Sequence, residues 1–228
     1  MNAQKLLTRI YIRIQLVSLF IFIGTAVFAQ INIKVGYTGG YATFESTNMI
    51  LNQYNTDNTA ISQKFSELHF LHGLELGGRY KFGSIGIDAG ITLMRNDTKA
   101  TGIINPDGGK GDQEIGLSVI NYHLGLESHF GFFGIGTNIG YQNLKYKKEL
   151  FGDEGKIYSE YQLGSKFYLI LELPGESSAI SLRPYISTVW DAYNITQVAN
   201  NINDNTVNSI NESPFIYGLS ILFYNGRQ

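Results

Sequence analysis

The stretch LELGGRYKFGSIGIDAGITL, residues 74–93, contains two runs in which apolar residues alternate with polar or small ones. The first run is Leu74–Tyr80, the second is Ile85–Leu93, and the short segment Phe82-Gly83-Ser84 lies between them. Alternation with a period of two is the pattern of a β-strand that has one apolar and one polar face. A glycine-containing turn between two such runs predicts a β-hairpin.

The same alternation recurs through the rest of the chain and predicts an all-β protein with eight strands. Glycine (26), tyrosine (15) and phenylalanine (14) are abundant and proline (4) is scarce, a composition that favours strands over helices. The predicted strands are, in chain order, residues 31–44, 65–82, 84–96, 114–130, 132–147, 156–171, 179–193 and 213–224.

The connections between these strands alternate in length. Short turns are predicted at 82–84, at 130–132 and at Pro174-Gly175. The other connections are longer and polar, and they are residues 45–64, 97–113, 148–155 and 194–212. Short turns at one end and long loops at the other are typical of outer-membrane barrels. The pattern therefore predicts an eight-stranded antiparallel up-and-down transmembrane β-barrel with both chain ends in the periplasm.

Alternation alone does not distinguish a membrane barrel from a secreted soluble β-protein, because only the direction of the apolar face differs between them. Three features favour the membrane barrel: aromatic residues near strand ends, apolar runs of about nine to eleven residues, and a polar face rich in glycine. Small residues suit the crowded interior of a narrow barrel. The glycines of the polar face are Gly77, Gly86, Gly90, Gly125, Gly134, Gly136, Gly140 and Gly164.

The first 29 residues have the pattern of a secretory signal peptide. Lys5, Arg9 and Arg13 precede the apolar run Leu16–Ile23, and the small-residue exit Val27-Phe28-Ala29 follows it. We expect cleavage after Ala29, which leaves a barrel domain of residues 30–228. The alternative is a membrane anchor, for which the apolar run is too short. Without cysteine in the chain, disulfides and a lipid-anchored form are excluded.

Removal of the predicted signal peptide leaves 14 basic and 19 acidic residues, a formal charge of −5. An acidic chain without a run of lysine or arginine argues against a nucleic-acid partner, because such binding depends on phosphate neutralisation.

Several segments together resemble a known family. They are INIKVGYTGGYATF (31–44), LELGGRYKFGSIGIDAGI (74–91), GTNIGYQNL (136–144), LRPYIS (182–187) and FIYGLSILFY (215–224). The chain resembles the outer membrane protein beta-barrel domain family, small barrels of Gram-negative bacteria that are often labelled PorT-like. The resemblance implies the fold, an outer-membrane location and no catalytic residues. It also implies that the barrel-insertion machinery recognises the aromatic C-terminal strand, although residues 225–228 extend past the usual terminus.

The charged residues of the polar face are the candidate functional residues, because charges inside a barrel must be paired or hydrated. We expect them to form a salt-bridge network that fills the lumen, and a conducting pore is the alternative. They are Lys34, Glu75, Arg79, Asp88, Glu127, Glu160, Lys166 and Arg183. The histidines show no metal-binding spacing, so we expect hydrogen-bonded imidazoles, and neither a metal nor a cofactor.

The sequence therefore predicts a non-enzymatic outer-membrane barrel with a structural or loop-mediated binding role. A small porin-like channel, a membrane-embedded lipid-modifying enzyme and a secreted barrel for an apolar ligand remain alternatives. Loops 45–64 and 194–212 are expected to be solvated tips, with a short helical cap or contact surface as the alternative for the first. The expected partners are outer-membrane lipid, the insertion machinery and an unidentified extracellular or periplasmic protein.

Overall fold

A computed structural model describes residues 31–104, 110–150, 153–175, 178–203 and 209–225. The predicted signal peptide lies outside the described residues. The strands are β1 (Ile31–Ala42), β2 (Phe70–Phe82), β3 (Ile85–Ile104), β4 (Lys110–Phe130), β5 (Phe133–Leu150), β6 (Asp153–Pro174), β7 (Ser178–Val189), β8 (Tyr193–Asn194), β9 (Asn211–Glu212) and β10 (Phe215–Asn225). The helices are α1 (Glu45–Asp57) and α2 (Thr196–Asn203).

Eight of the strands form a closed barrel in the order β1-β10-β7-β6-β5-β4-β3-β2, and β8 pairs only with β9. Each barrel strand pairs antiparallel with its neighbours in the chain, and β1 closes the ring by pairing with β10 from Lys34↔Tyr224 to Ala42↔Ile216. The predicted eight-stranded antiparallel up-and-down barrel is confirmed. Gly83 and Gly131 have φ angles of +58° and +66°, which L-residues with a side chain rarely adopt, and they make the first two short turns.

The predictions of long loops at 97–113 and 148–155 are wrong, because the strands continue through most of these residues. β3 and β4 stay paired as far as Ile104↔Lys110, and β5 and β6 as far as Leu150↔Asp153. Only a few residues of the expected loops 97–113 and 148–155 are therefore left for the turns. Ala100, Ile115 and Leu117 point into the barrel here and are buried, so these extensions have an apolar inner face that stabilises them.

The other two long connections are also more ordered than a solvated tip. Connection 45–64 contains α1, whose Ile50 and Leu51 are buried, so the helical cap is the correct alternative. The asparagine-rich connection 194–212 contains α2, with Val198, Ala199 and Ile202 buried. The apolar residues of both helices recur at helical spacing. Their packing against the barrel offsets the conformational entropy that these otherwise polar segments lose when they become ordered.

The outer face of the barrel carries a continuous band of exposed apolar side chains. Leu124 and Leu126 are 62% and 60% exposed, whereas the alternate residues His123 and Glu127 are buried. A soluble barrel would place these residues the other way round, so the arrangement is that of a transmembrane barrel. The band ends sharply on β3, where Leu93 is followed on the outer face by Arg95.

Neither helix among the described residues is long and apolar enough to span a membrane.

The apolar band predicts a depth-dependent cost for an outward charge. Leu126 lies near the middle of the band on β4, and Leu93 lies at its upper edge on β3. We expect Leu126→Arg to destabilise the barrel by about 2–4 kcal/mol and Leu93→Arg by about 0–1 kcal/mol. The measurement is reversible urea unfolding of the protein in lipid vesicles. Equal costs at the two positions would contradict a membrane-spanning outer face.

Candidate functional site

The lower half of the lumen, within the apolar band, contains a cluster of buried charges around Lys34 on β1. The Lys34 ammonium donates hydrogen bonds to Glu75 at 2.8 Å and to Asp88 at 2.6 Å, and its nitrogen lies 3.3 Å from His123 Nε2. Lys166 reaches across from β6 and donates to the second oxygen of Glu75 at 3.1 Å. Each of the two carboxylates therefore has an ammonium partner inside the barrel.

A second group of charges lies towards the end of the barrel that carries the short turns. Arg79 donates to both oxygens of Glu172, at 2.5 and 3.3 Å. Glu127 lies 2.7 Å from Arg183 Nη1 and accepts a hydrogen bond from the Tyr168 hydroxyl at 3.1 Å. Aromatic rings flank these cations as well.

The contacts of cations with aromatic rings are shortest at two places. The Arg79 guanidinium carbon lies 4.0 Å from the ring centre of Tyr224, and the Lys166 ammonium lies 4.3 Å from that of Tyr185. Both are within the range in which the negative face of the ring attracts a cation. Tyrosines thus fill the space between the ion pairs and help to stabilise them.

The buried network, named the ion-pair seal, contains four cations and four carboxylates. The cations are Lys34, Arg79, Lys166 and Arg183, and the carboxylates are Glu75, Asp88, Glu127 and Glu172. Its formal charges balance, which matters because an uncompensated buried charge is costly. Lys81, which is partly exposed and lies 3.7 Å from Glu172, adds a fifth cation at the edge of the network.

Seven of the eight charged residues expected in the lumen belong to this seal, and Glu160 does not. The Glu160 carboxylate accepts hydrogen bonds from the Tyr158 hydroxyl and from the Asn194 backbone N–H, and it is only partly buried. Glu172 takes the fourth carboxylate position instead. The sequence prediction ended the sixth strand at residue 171, although the inward alternation that includes Lys166 and Tyr168 continues to Glu172.

Three metal-ligating side chains lie together in the seal. Donor atoms of Glu75, Asp88 and His123 are all within 4.8 Å of one another. The Lys34 ammonium bonds to both carboxylates and lies beside the imidazole, so it already supplies the positive charge that a metal ion would bring. These ligands fit a metal only if Lys34 withdraws, and the cluster is therefore part of the ion-pair seal.

Above the ion-pair seal, α1 and α2 pack inside the extended barrel wall and form a second closure, named the helical plug. The plug is apolar where it faces the wall. Its buried residues and those of the surrounding wall include Phe44, Leu51, Tyr54, Val198, Ile202, Ile115, Leu117, Leu144 and Tyr146. Their packing is that of a water-soluble protein core, with the barrel wall serving as its outer layer.

Polar contacts fix the position of the plug. The Thr47 N–H and hydroxyl on α1 both donate to Glu212, at 2.8 and 2.9 Å, and the Tyr146 hydroxyl lies 2.5 Å from the Thr47 hydroxyl. Burial raises the pKa of the Glu212 carboxyl above its ordinary value. The Asn48 side chain pairs with the backbone N–H and C=O of Leu68 at 2.8 and 3.2 Å.

An open groove of about 550 Å³ runs along the outer side of α1, away from the lumen. Met49 is 58% exposed beside it. His69 and Glu67 are paired at 2.9 Å, and the His69 ring stacks on Tyr41 with ring centres 4.8 Å apart. The groove residues are Glu45, Asn48, Met49, Asn52, Gln53, Thr56, Glu67 and His69.

Comparison with known proteins gives no family assignment. The chain matches no protein-family model and no curated protein. Among solved structures it is similar to Ail, the attachment invasion locus protein of Yersinia pestis, in complex with a heparin analogue, with 12% identity and a TM-score of 0.47 over 84% of this chain and 97% of that one.

Two further structures are similar at the same level. For Neisserial surface protein A the identity is 7% and the TM-score 0.45, over 86% of this chain and 97% of that one. For the outer membrane protease OmpT from Escherichia coli the identity is 10% and the TM-score 0.41, over 85% of this chain and 96% of that one. At such low identities and TM-scores the likeness supports no inference about ligand, activity or partner.

The ion-pair seal predicts that loss of Lys34 is costly. In Lys34→Met the carboxylates of Glu75 and Asp88 lose their shared ammonium, and we expect a loss of about 3–5 kcal/mol in the free energy of unfolding. Lys99→Met is the control, because Lys99 pairs with Asp112 at 2.7 Å on the exposed outer surface, where ion pairs contribute little. Urea titration in vesicles measures both variants. Equal, small losses would contradict a water-excluding network.

Proposed function

We propose that the chain is an exported, non-enzymatic outer-membrane barrel with a sealed lumen, and that its role is structural or depends on binding at its extracellular end. The observation that carries the proposal is the double closure of the barrel. The ion-pair seal fills the half inside the apolar band, and the helical plug fills the half above it. Because the described residues occupy both halves of the lumen, the proposal places the accessible chemistry on the outside.

Location in the outer membrane is supported by the inverted burial of the barrel wall. Apolar side chains face outwards, charged side chains face inwards, and backbone groups are paired around a closed ring, as the hydrocarbon region requires. The signal-peptide pattern of residues 1–29 supports export. Short turns at one end and long hairpins at the other favour an orientation with the plug outside the cell.

The narrowness of the lumen argues for a sealed barrel over a pore. A cavity of about 10 Å³ lies between the ion-pair seal and the helical plug, beside Met94, Gln142 and Lys166. That volume holds about one water molecule. Eight-stranded barrels are normally filled by their own side chains, whereas aqueous channels belong to wider barrels.

The groove along α1 is the surface that best suits a binding role, because most of its side chains lie on α1, whose opposite face is packed in the helical plug. For catalysis it has a histidine paired with a carboxylate, His69 with Glu67, but the described residues that line it include no serine or cysteine. The Thr56 hydroxyl, which also lines the groove, donates to the Asn52 carbonyl at 2.8 Å. The nearby Ser46 hydroxyl donates to the Asn211 carbonyl at 2.7 Å. These observations favour binding over a lipid-modifying reaction.

A sealed lumen predicts the absence of ion current. In planar lipid bilayers the purified mature protein should give no conductance steps, while a porin in the same detergent serves as the positive control. Replacement of residues 45–57 by a flexible Gly-Ser linker should also give none, because the ion-pair seal remains. Steady steps from the unaltered protein would contradict the proposal and favour the small channel.

The proposed orientation can be tested with single cysteines, since the chain contains none. Gln53 is exposed on α1, and Ser84 is exposed in the turn between β2 and β3. On intact cells a membrane-impermeant maleimide should label Gln53→Cys and leave Ser84→Cys unlabelled. Ser84→Cys should react only after the outer membrane is permeabilised. Labelling of Ser84→Cys on intact cells would show the opposite orientation, and protection of both on intact cells would contradict exposure of the plug at the cell surface.

A further inference from the structure

The outer surface just above the apolar band is not uniform around the barrel. On β2 to β6 it carries basic and hydroxyl side chains, while β1, β7 and β10 end at this level near Tyr41, Trp190 and Phe215. We propose that the basic side is a binding site for the phosphate group of a lipid in the outer leaflet. The proposal rests on the membrane location given above and concerns a surface separate from the groove along α1.

Strand pairing places five polar residues in one row across five neighbouring strands. The row is His72↔Arg95↔Ser118↔Lys145↔Ser159, and it is named the basic row. Neighbouring strands are about 4.8 Å apart, so the backbones of Arg95 and Lys145 are separated by about 10 Å. Long arginine and lysine side chains can meet on one phosphate across that distance, with the Ser118 hydroxyl between them.

The next row towards the extracellular end adds two lysines. Strand pairing there gives Asp97↔Gly116↔Lys147↔Lys156, and both lysines are exposed. The basic row itself contains no carboxylate. Acidic residues become frequent only one row further out, in Lys99↔Glu114↔Glu149↔Glu154. The positive charges are therefore concentrated next to the membrane surface, where they meet least competition from acidic side chains.

The depth of the basic row matches that of lipid headgroups. The outward neighbours immediately below it include Leu93 and Tyr161, which are 42% and 55% exposed. A charge placed there lies at the boundary between hydrocarbon and water, where anionic headgroups lie. Arginine suits this contact, because its planar guanidinium can bind two phosphate oxygens at once.

A second observation points to a lipid as the occupant. An apolar groove of about 710 Å³ lies on the same five strands, below the basic row and separated from it by the outward row that includes Leu93 and Tyr161. Ile91, Tyr122 and Tyr141 form its upper part, and Ile91 lies four residues below Arg95, which is about 13 Å along the strand. The surface thus offers charges for a phosphate above and a groove for an acyl chain below. A soluble anion would contact only the charges, whereas a lipid can contact both.

The test compares lipids that differ only in the phosphate. Native mass spectrometry of the full mature barrel in detergent measures binding of dioleoyl phosphatidic acid and of dioleoylglycerol, which has the same chains without phosphate. We expect phosphatidic acid to bind at least about tenfold more tightly, and Arg95→Gln/Lys145→Gln to remove about tenfold of that affinity. Lys64→Gln/Lys99→Gln, which removes the same charge from exposed positions further from the membrane than the basic row, should bind as the unaltered protein does.

Three results would overturn the proposal. One is equal binding of the two lipids, and another is an equal effect of the two double variants. The third is displacement of phosphatidic acid by millimolar inorganic phosphate, which would indicate a site for free phosphate. Heat-modifiable migration on a gel confirms that each variant is folded. Because binding is measured in detergent, failure of this proposal is distinguishable from failure of the cysteine-labelling test of orientation.

Discussion

Closure of the backbone hydrogen-bonding ring is the constraint on which the rest of this structure depends. In hydrocarbon an unpaired N–H or C=O group costs several kcal/mol, so a sheet can cross only if it has no open edge. Here the pairing of β1 with β10 removes the edges. With eight strands the ring is narrow, and its interior must therefore be filled by side chains. The alternation that directs leucine and phenylalanine to the outside sends lysine, arginine and glutamate to the inside.

On β4 the odd-numbered residues face inward without interruption from Gln113 to His129, but the polarity of these inward residues reverses at the upper edge of the apolar band. On β4 the inward residues His123 and Glu127 are polar, and further up Leu117 and Val119 on the same face are apolar. At the same level the outward residues change from apolar to polar, as from Leu93 to Arg95 on β3. The reversal follows from the medium outside: in lipid the lumen takes the polar residues, whereas in water the lumen becomes an ordinary hydrophobic core, which the helical plug completes.

This reversal also explains what the sequence could and could not predict. Each strand alternates strongly within the apolar band, so the eight strands and the first two tight turns could be predicted. At Val119-Ile120 two apolar residues are adjacent and the alternation changes phase, so the outer parts of β3 to β6 had the appearance of polar loops. The sequence prediction omits Glu172 because it ends the sixth strand at residue 171, one residue too early to include it. Glu160 lies within the predicted strand, but its carboxylate bonds to Tyr158 and Asn194 and not to the cations of the ion-pair seal. The pairing of individual charges across the lumen depends on side chains from distant strands, which a single sequence does not reveal.

The same boundary identifies the part of the surface with the most varied chemistry. In the proposed sealed barrel the lumen exchanges little with its surroundings, and most of the apolar band meets only acyl chains. Where the polarity reverses, one wall meets hydrocarbon, headgroups and water within a few residues of each strand. On β3 this transition takes place between Leu93, Arg95 and Asp97. Because a side chain at that level can contact a lipid on one side and solvent on the other, selectivity for a particular lipid can arise there without any opening of the barrel.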